Sequence, residues 1–382
     1  MRGSTTLAWI AAAGLLAGCD PADEASPDDA TSGEASTDDE TSAWIEVAAA
    51  RFEEDGESET LTLPPLGSVD ALALRATTDP GVCFQLSSAV DGEGRAVILG
   101  RSAGVLYCRA CALRTSIAAA AGVLVLPREA GQFEPETGLS LRFARVACDT
   151  LTPLKAPEDR PSLRIDAQPI VRAPAPATLD LRFLIAGSSI LASDDARQQA
   201  LLDALTDELA SAGVVPRLVD ARAIDDLPDA IRFHNGDPGA LAAAIAAAPA
   251  KDERTVDVVF GGCLLYDDPI FGPPSPVNGF TPRIPGGAGP ADGVYMPGVD
   301  CFAVGDAGPL DLPVGAQAHV LAHELGHYLG LYHAVEEDGT TDRLDDTGPD
   351  NIMHFNPQRA ASVGFSPAQG EVMRTHPALR PR

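Results

Sequence analysis

The segment QAHVLAHELGHYLGLYH holds side chains whose types and spacing can bind a metal ion. His323 and His327 are four positions apart, so on a helix they share one face and can reach the same zinc ion. Glu324 follows the first ligand directly and is placed to accept a proton from metal-bound water. Gly330 permits the turned backbone that ends a helix, after which His333 can supply a third nitrogen. Three protein ligands leave a fourth position for water, which is typical of a catalytic zinc site.

One more histidine lies on nearly the same helical face. His319 is eight residues from His327, about 12 Å along a helix axis. One zinc ion with nitrogen ligands at about 2.1 Å cannot be held from both ends, so we expect His319 to pack or to support the site. A helix of buried structural histidines is the alternative interpretation of the whole segment, but it does not explain Glu324 and Gly330.

The pattern HExxHxxGxxH from His323 to His333 resembles the zinc-binding motif of metzincin metallopeptidases. Metzincins carry a methionine beneath the zinc in a downstream turn, and Met353 in the sequence NIMH occupies the matching place. The acidic loop 345–350 and the Asn-x-Met sequence resemble the pappalysin-like branch in particular. The resemblance implies one catalytic Zn²⁺ ion and hydrolysis of a protein or peptide substrate, with Glu324 as general base and acid.

The sequence departs from some metzincins next to Met353. These enzymes place a tyrosine two residues after the methionine, where it assists the transition state, but here that position is Phe355. A tyrosine role is therefore absent or moves to another residue, with Tyr295 as the candidate. His354 follows the methionine directly, and we expect a buried, hydrogen-bonded structural role, with a contact to substrate or metal as the alternative.

The stretch from residue 336 to residue 350 holds seven acidic side chains. A solvated acidic loop is one interpretation of this stretch. A Ca²⁺ site is the other, because calcium prefers oxygen ligands and the resemblance to pappalysin-like enzymes favours it, although no EF-hand spacing is present. The candidate calcium ligands are Asp345, Asp346 and Asp350.

Strands and helices alternate in the part of the chain that surrounds the motif. We expect strands over 179–186, 216–219 and 255–260, and helices over 195–212 and 239–248. This alternation indicates an α/β layer, and with the resemblance it predicts that 178–382 is a metzincin-like α/β catalytic domain with a mixed twisted sheet and an active-site helix. A long proline- and glycine-rich loop, 267–298, contains a possible edge strand at 293–296 to which a substrate strand would add.

The preceding half has a different pattern. Residues 44–170 read as short strands separated by turn clusters, which is typical of a β-sandwich. Residues 171–177 form a stiff spacer rich in proline and alanine. The predicted fold class is therefore α+β, with an N-terminal β-sandwich-like domain before the catalytic domain. A propeptide that blocks the zinc is the alternative role of 44–170.

Six cysteines remain when Cys19 is set aside, and an even number in an exported protein suggests disulfides. Cys263 and Cys301 are the two in the C-terminal half, so we predict that they pair. The other four allow three pairings, and their spacing does not choose among them. These four are Cys83, Cys108, Cys111 and Cys148.

The N-terminus resembles an export signal. Residues 1–18 combine Arg2 with an apolar run that is too short for a transmembrane helix, which needs about 20 residues, but fits a signal peptide. The run ends in Leu-Ala-Gly-Cys, which resembles the lipobox of bacterial lipoproteins, in which Cys19 becomes acylated. Residues 19–43 are acidic and lack large apolar side chains, so we expect a disordered tether. An incidental cysteine after a plain secretory signal is the alternative.

The net charge and the length of the chain limit its class of function and its number of domains. The 382 residues carry a formal net charge of −28, which argues against nucleic-acid binding, since that relies on basic patches. The length fits about two domains. We therefore predict an exported zinc metalloendopeptidase that acylated Cys19 anchors to the lipid bilayer of a bacterial cell envelope, on its periplasmic or cell-surface side. The alternative is a surface-anchored binding lipoprotein with an inert or accessory zinc domain. The oligomeric state is left open.

Overall fold

A computed structural model describes most of the chain beyond residue 43. The described residues are 44–65, 67–98, 114–115, 121–128, 134–148, 152–155, 158–225, 227–233, 243, 245, 248, 251–267, 273–287, 292–301, 309–337, 339–342, 344–357 and 363–382. They form a mixed α/β fold with several sheets and few helices. The segments 1–18 and 19–43, Cys108, Cys111 and most of the helix expected at 239–248 lie outside these residues. No helix in the described part is long and apolar enough to cross a membrane.

Antiparallel strands build the region from residue 44 to residue 170. The described strands are β1 Ile45–Arg51, β2 Leu61–Leu63, β3 Ala71–Thr78, β4 Cys83–Asp91, β5 Ala96–Ile98, β6 Arg114–Thr115, β7 Ala121–Pro127, β8 Leu139–Val146 and β9 Ser162–Ile170. They form two sheets, with the orders β1-β9-β3-β7-β6 and β2-β8-β4-β5. Buried positions largely alternate along β8, as expected for a strand with one face in the core. Both sheets contribute to one hydrophobic cluster, which includes Leu74, Phe84 and Phe143.

A mainly parallel sheet and the helices follow. The strands are β10 Ala177–Ala186, β11 Val214–Ile224, β12 Ala230–Phe233, β13 Val256–Phe260, β14 Cys263–Tyr266, β15 Ser275–Pro276, β16 Gly293–Met296 and β17 Leu379–Pro381, and the helices are α1 Asp195–Leu209, α2 Val314–Tyr328 and α3 Pro367–Met373. The main sheet has the order β11-β10-β13-β16 with parallel neighbours, and β17 pairs antiparallel with the start of β10. A smaller sheet has the order β12-β14-β15. The strands expected in this region are therefore present.

Helix α1 follows from its sequence pattern. It begins after Asp194, whose side chain caps the first turn. Leu201, Leu205 and Leu209 recur every four residues and are buried on one face. A short 3₁₀ turn then ends at Gly213, where φ is +67°. The buried face of α1 shares one hydrophobic cluster with α2 and the main sheet, and this packing holds α2 against the sheet.

Disulfides join four of the described cysteines. Cys263 pairs with Cys301, so this prediction is confirmed, and the bond ties the start of β14 to the segment after β16. Cys83 pairs with Cys148, linking the start of β4 to the segment after β8. This bond belongs to one of the three pairings that the sequence allows for the four N-terminal cysteines.

Candidate metal centre

Two histidines of the motif lie on helix α2. His323 and His327 are one helical turn apart, and their rings meet edge to face with centroids 4.7 Å apart. Both side chains are buried. The helix therefore presents two imidazole groups on one face, as its four-residue spacing predicts.

The chain turns back at Gly330, directly after α2. The φ angle of Gly330 is +104°, a conformation that favours glycine. Its N–H donates to the carbonyl oxygen of His327 at 2.9 Å, which closes the last helical turn. The turn brings His333 to the helical histidines, with ring centroids 5.3 Å from His323 and 4.8 Å from His327.

The three histidines form a potential metal site. One ring nitrogen from each lies within 4.8 Å of the others, close enough for one ion to reach all three after small rotations. Among the residues that the structure describes, this is the one group of three or more histidine, cysteine or acidic side chains that converges in this way. Its members are His323, His327 and His333.

Each of these rings uses its Nδ1 atom to bind a neighbouring oxygen. The pairs are His323 with the Ile352 carbonyl at 2.8 Å, His327 with the Leu331 carbonyl at 2.8 Å, and His333 with Oε2 of Glu336 at 2.9 Å. A nitrogen that faces such an acceptor carries the ring proton. In the neutral form of such a ring, the Nε2 atom is therefore the one that has a lone pair for a metal ion.

Burial keeps the two helical histidines uncharged. Burial first and the neighbouring histidines second lower the pKa of His323 to about 3 and the pKa of His327 well below its usual value. Only the neutral imidazole can bind a metal ion, so both side chains are in the binding form at neutral pH. Three converging nitrogen donors of this kind fit a zinc ion.

Glu324 lies buried beside the histidines. Its Oε2 atom accepts a hydrogen bond from the hydroxyl of Thr281 at 2.9 Å. Burial raises the pKa of Glu324 to about 7, and the bond from Thr281 opposes part of this rise. A carboxyl group with a pKa near neutral is suited both to accept and to return a proton.

Met353 is fully buried and packs directly against α2. A Cβ atom placed on Gly326 would lie 2.6 Å from the Met353 sulfur, so the glycine permits this close approach. The N–H of Met353 donates to Oδ1 of Asn351 at 2.9 Å, and Asn351 in turn exchanges two side-chain hydrogen bonds with Gln369. The methionine of the motif is thus held against the helix at Gly326.

The histidines and Glu324 line a cleft of about 440 Å³. One wall is the segment 276–281, which starts at the last residue of β15, and the other is 355–357. Apart from Glu324 and the histidines, the described residues that line the cleft have no ionisable side chain. Peptide backbone and uncharged side chains therefore surround the potential metal site.

The structure corrects the prediction that a substrate strand would add to the edge at 293–296. All four residues of Gly293–Met296 are buried. The backbone groups of Tyr295 exchange two hydrogen bonds of 2.9 Å with those of Phe280, so segment 277–281 covers this edge. The edge that faces the cleft is therefore 277–281 and not β16.

Tyr295 cannot take the tyrosine role suggested for it. Its side chain is fully buried in a cluster with Phe233 and Leu264, away from the cleft lining. Phe355 lies in the cleft wall at 37% exposure. The described residues of the cleft thus present no tyrosine hydroxyl.

Two other histidines lie outside the triad. His354 is buried, and its Nδ1 atom accepts a hydrogen bond from the N–H of Asn356 at 3.1 Å, in agreement with a structural role. The Nδ1 atom of His319 lies 3.2 Å from a carboxylate oxygen of Glu208 on α1. His319 therefore links the two packed helices, as expected of a residue that does not bind the metal.

The three aspartates considered for calcium do not form a converging group within the described chain. Asp346 instead binds the start of α3, where its carboxylate accepts from the Ser366 hydroxyl at 2.8 Å and from the Ala368 N–H at 3.0 Å. Asp345 and Asp350 are exposed. Calcium at these residues stays a prediction.

Two site residues were not singled out from the sequence. Glu336 lies three positions after His333, and this spacing is a usable signal, because metal-binding histidines commonly donate to a carboxylate. Thr281 lies 43 positions before Glu324 in a loop rich in proline and glycine, where no local pattern marks it. Tertiary packing alone brings it to the site.

No family model and no curated protein matches the sequence of this chain. Among solved structures, it is similar to archaemetzincin from Methanopyrus kandleri, with 16% identity and a TM-score of 0.29 over 52% of this chain and 88% of that chain. It is also similar to metalloproteinase-II from Bacteroides fragilis, with 14% identity and a TM-score of 0.31 over 56% of this chain and 63% of that chain.

Proposed function

We propose that this protein is a zinc-dependent metalloendopeptidase. The observation that carries the proposal is the convergence of three imidazole groups, each with its Nδ1 atom bound elsewhere, beside the buried carboxyl group of Glu324. Three nitrogen ligands at the surface of a cleft are typical of a catalytic zinc site, whereas structural sites have four protein ligands.

In this proposal the Nε2 atoms of His323, His327 and His333 hold the ion. A bound zinc ion supplies a Lewis acid that acidifies water and polarises the peptide carbonyl. Glu324 accepts a proton from the attacking water and passes it to the leaving amine. The burial of Glu324 supports this role, because it raises the pKa of the carboxyl group to about 7 in the metal-free protein. At that pKa, both proton transfers are accessible near neutral pH.

An extended peptide substrate would bind along segment 277–281 by strand addition. Consecutive residues of an extended strand direct their backbone groups to opposite edges. The backbone of Phe280 pairs with Tyr295, so in this proposal the backbone groups of Gly279 and Thr281, on the cleft wall, would pair with the substrate strand. The uncharged cleft walls favour uncharged side chains next to the bond that is cleaved.

The decisive experiment removes the carboxyl group while keeping the metal. The purified protein should bind one zinc ion, cleave an unfolded protein, lose activity to a chelator and regain it with zinc. Glu324→Ala should retain zinc but lose at least about 10²-fold in kcat, the scale of general acid–base catalysis. Glu337→Ala changes an exposed carboxylate that is not part of the cleft lining and serves as the control. An active Glu324→Ala protein would refute the assignment.

We also propose that the protein is exported and held at a bacterial membrane by acylated Cys19, with 19–43 as the tether. The lipobox-like sequence supports the anchor. We infer that 44–170 is a retained, sandwich-like accessory domain and not a propeptide, because every described residue that lines the cleft lies within 276–357. Mass spectrometry of the mature N-terminus checks both points: an acylated Cys19 is expected, and a mature start near residue 175 would contradict them.

A further inference from the structure

Segment 277–281 does more than border the cleft, since two of its residues contact the side chain of Glu324. Phe280 is anchored on the other side by its backbone pairing with Tyr295, and its ring lies 4.1 Å from that of Phe233. In an extended segment, the residues on either side of Phe280 point away from that contact. These neighbours, Gly279 and Thr281, face Glu324.

Thr281 binds Glu324 through its hydroxyl group. Its Oγ1 atom lies 2.9 Å from Oε2 of Glu324 and 2.9 Å from the backbone carbonyl oxygen of the same residue. The side chain of Thr281 is 5% exposed, so water does not compete easily for this contact. The hydroxyl has a single proton, so the carboxyl oxygen and the backbone carbonyl oxygen of Glu324 share it as acceptors.

Gly279 contacts the same carboxyl group from the other direction. A Cβ atom at this position would lie 2.6 Å from Cγ and 2.8 Å from Oε1 of Glu324. Both distances are shorter than van der Waals contact, so any larger residue would displace the carboxyl group or the segment. Glycine is required here by close approach and not by backbone conformation.

We propose that Thr281 and Gly279 are positioning residues for Glu324, an inference that rests on the proposed peptidase function. Thr281 holds Oε2, and Gly279 leaves space for Oε1, the carboxyl oxygen available to the reacting water. The substrate-binding edge and the general base are thereby joined in one segment. Displacement of a reacting group by about 1 Å can cost on the order of 10²-fold in rate, so this contact affects kcat more than KM.

The test compares Thr281→Val, which removes the hydroxyl with little change of shape, with Thr281→Ser, which keeps it. Thr281→Val should lower kcat about 10- to 100-fold with KM within about 2-fold and zinc content unchanged, and Thr281→Ser should recover most of the loss. Gly279→Ala should lower kcat by a similar factor. Thr375→Val, at a buried threonine outside the cleft lining, controls for loss of a hydroxyl.

Crystal structures of the zinc-loaded variants supply a measurement that does not depend on catalysis. The Glu324 carboxyl group should occupy one position in the parent protein and Thr281→Ser, and a different or split position in Thr281→Val and Gly279→Ala. An unmoved carboxyl group in Thr281→Val, or a kcat equal to that of Thr375→Val, would overturn the inference. If the parent protein cleaves no peptide, the proposed function fails, while the position of Glu324 still decides the positioning role.

Discussion

His333 donates its Nδ1 proton to the carboxylate of Glu336 at 2.9 Å, whereas the two helical histidines donate to backbone carbonyl oxygens. His333 is therefore the one of the three histidines whose Nδ1 partner is a carboxylate. A carboxylate in this position fixes the ring orientation and increases the basicity of Nε2. Glu336 itself is held at the base of a turn, where its N–H donates to the Thr340 carbonyl at 2.8 Å.

The first prediction concerns metal affinity. Glu336→Ala should weaken zinc binding by about 10- to 100-fold, because the His333 ring loses the acceptor that orients it, and Glu336→Gln should lose less, since its amide oxygen still accepts a hydrogen bond. Competition with a chromophoric chelator measures the affinity. Glu337→Ala removes an equal charge from the neighbouring exposed residue. Equal effects of Glu336→Ala and Glu337→Ala would show that only net charge matters.

The second prediction concerns the contact between α2 and Met353. Gly326→Ala should lower the free energy of unfolding by about 1–3 kcal/mol, because its Cβ would lie 2.6 Å from the Met353 sulfur and 3.1 Å from the Phe365 ring. This loss opposes the gain of about 1 kcal/mol that alanine normally brings to a helix. Urea unfolding of the metal-free protein measures the difference.

Gly315→Ala is the matched control for this substitution. Gly315 lies at the exposed start of the same helix, and a Cβ there meets nothing within 4 Å. Its replacement should leave stability unchanged or slightly higher. The double variant Gly326→Ala/Met353→Ala should lose less free energy of unfolding than the sum of the two single variants. The shortened side chain at residue 353 leaves space for the added Cβ. Equal stabilities of the two glycine variants would contradict the proposed contact.

The third prediction concerns the acidic loop. Asp346→Ala should lower the free energy of unfolding by about 1 kcal/mol, because the start of α3 loses two hydrogen bonds to a carboxylate. Asp345→Ala, at the exposed neighbouring position, should change stability little. The loss should be the same with and without calcium. If calcium raises the melting temperature of the parent protein and not of Asp346→Ala, calcium binding by this loop is favoured instead.

The fourth prediction concerns pH. His376 is buried, with Nε2 donating to the Gly286 carbonyl at 3.2 Å and Nδ1 accepting from the Ala378 N–H at 3.1 Å. Burial lowers the pKa of His376 from 6.5 to about 4. Below pH 6.5 the unfolded chain therefore gains a proton that the native state does not. The free energy of unfolding should fall as the pH drops from about 6.5 to about 4, by at most about 3 kcal/mol from this residue.

The variant His376→Gln isolates this contribution. Its amide can donate and accept in the same directions but does not titrate. The stability difference between the parent protein and His376→Gln should therefore shrink as the pH is lowered from 7 to about 4.5, since other groups titrate in both proteins. Parallel stability curves would show that His376 is not held neutral by burial.

The features that the sequence alone determined are local. Helical spacing places His323 and His327 on one face, and a single glycine at residue 330 turns the chain back, so neither feature depends on distant residues. The leucines of α1 define its buried face for the same reason. The pairing of Cys263 with Cys301 followed from counting the cysteines in each half.

Tertiary structure decided which distant segments and side chains contact these elements. The sequence placed the substrate edge at Gly293–Met296, but Phe280 pairs with that strand, so the next segment outward becomes the edge. The side chain of Tyr295 is buried because it packs in a cluster with Phe233 and Leu264, and Thr281 reaches Glu324 across 43 positions. Strand pairing and close packing depend on which distant segments meet, and a local pattern of residue types does not contain that information. The sequence therefore identified the three histidines that converge, while the fold selected the residues that hold and surround them.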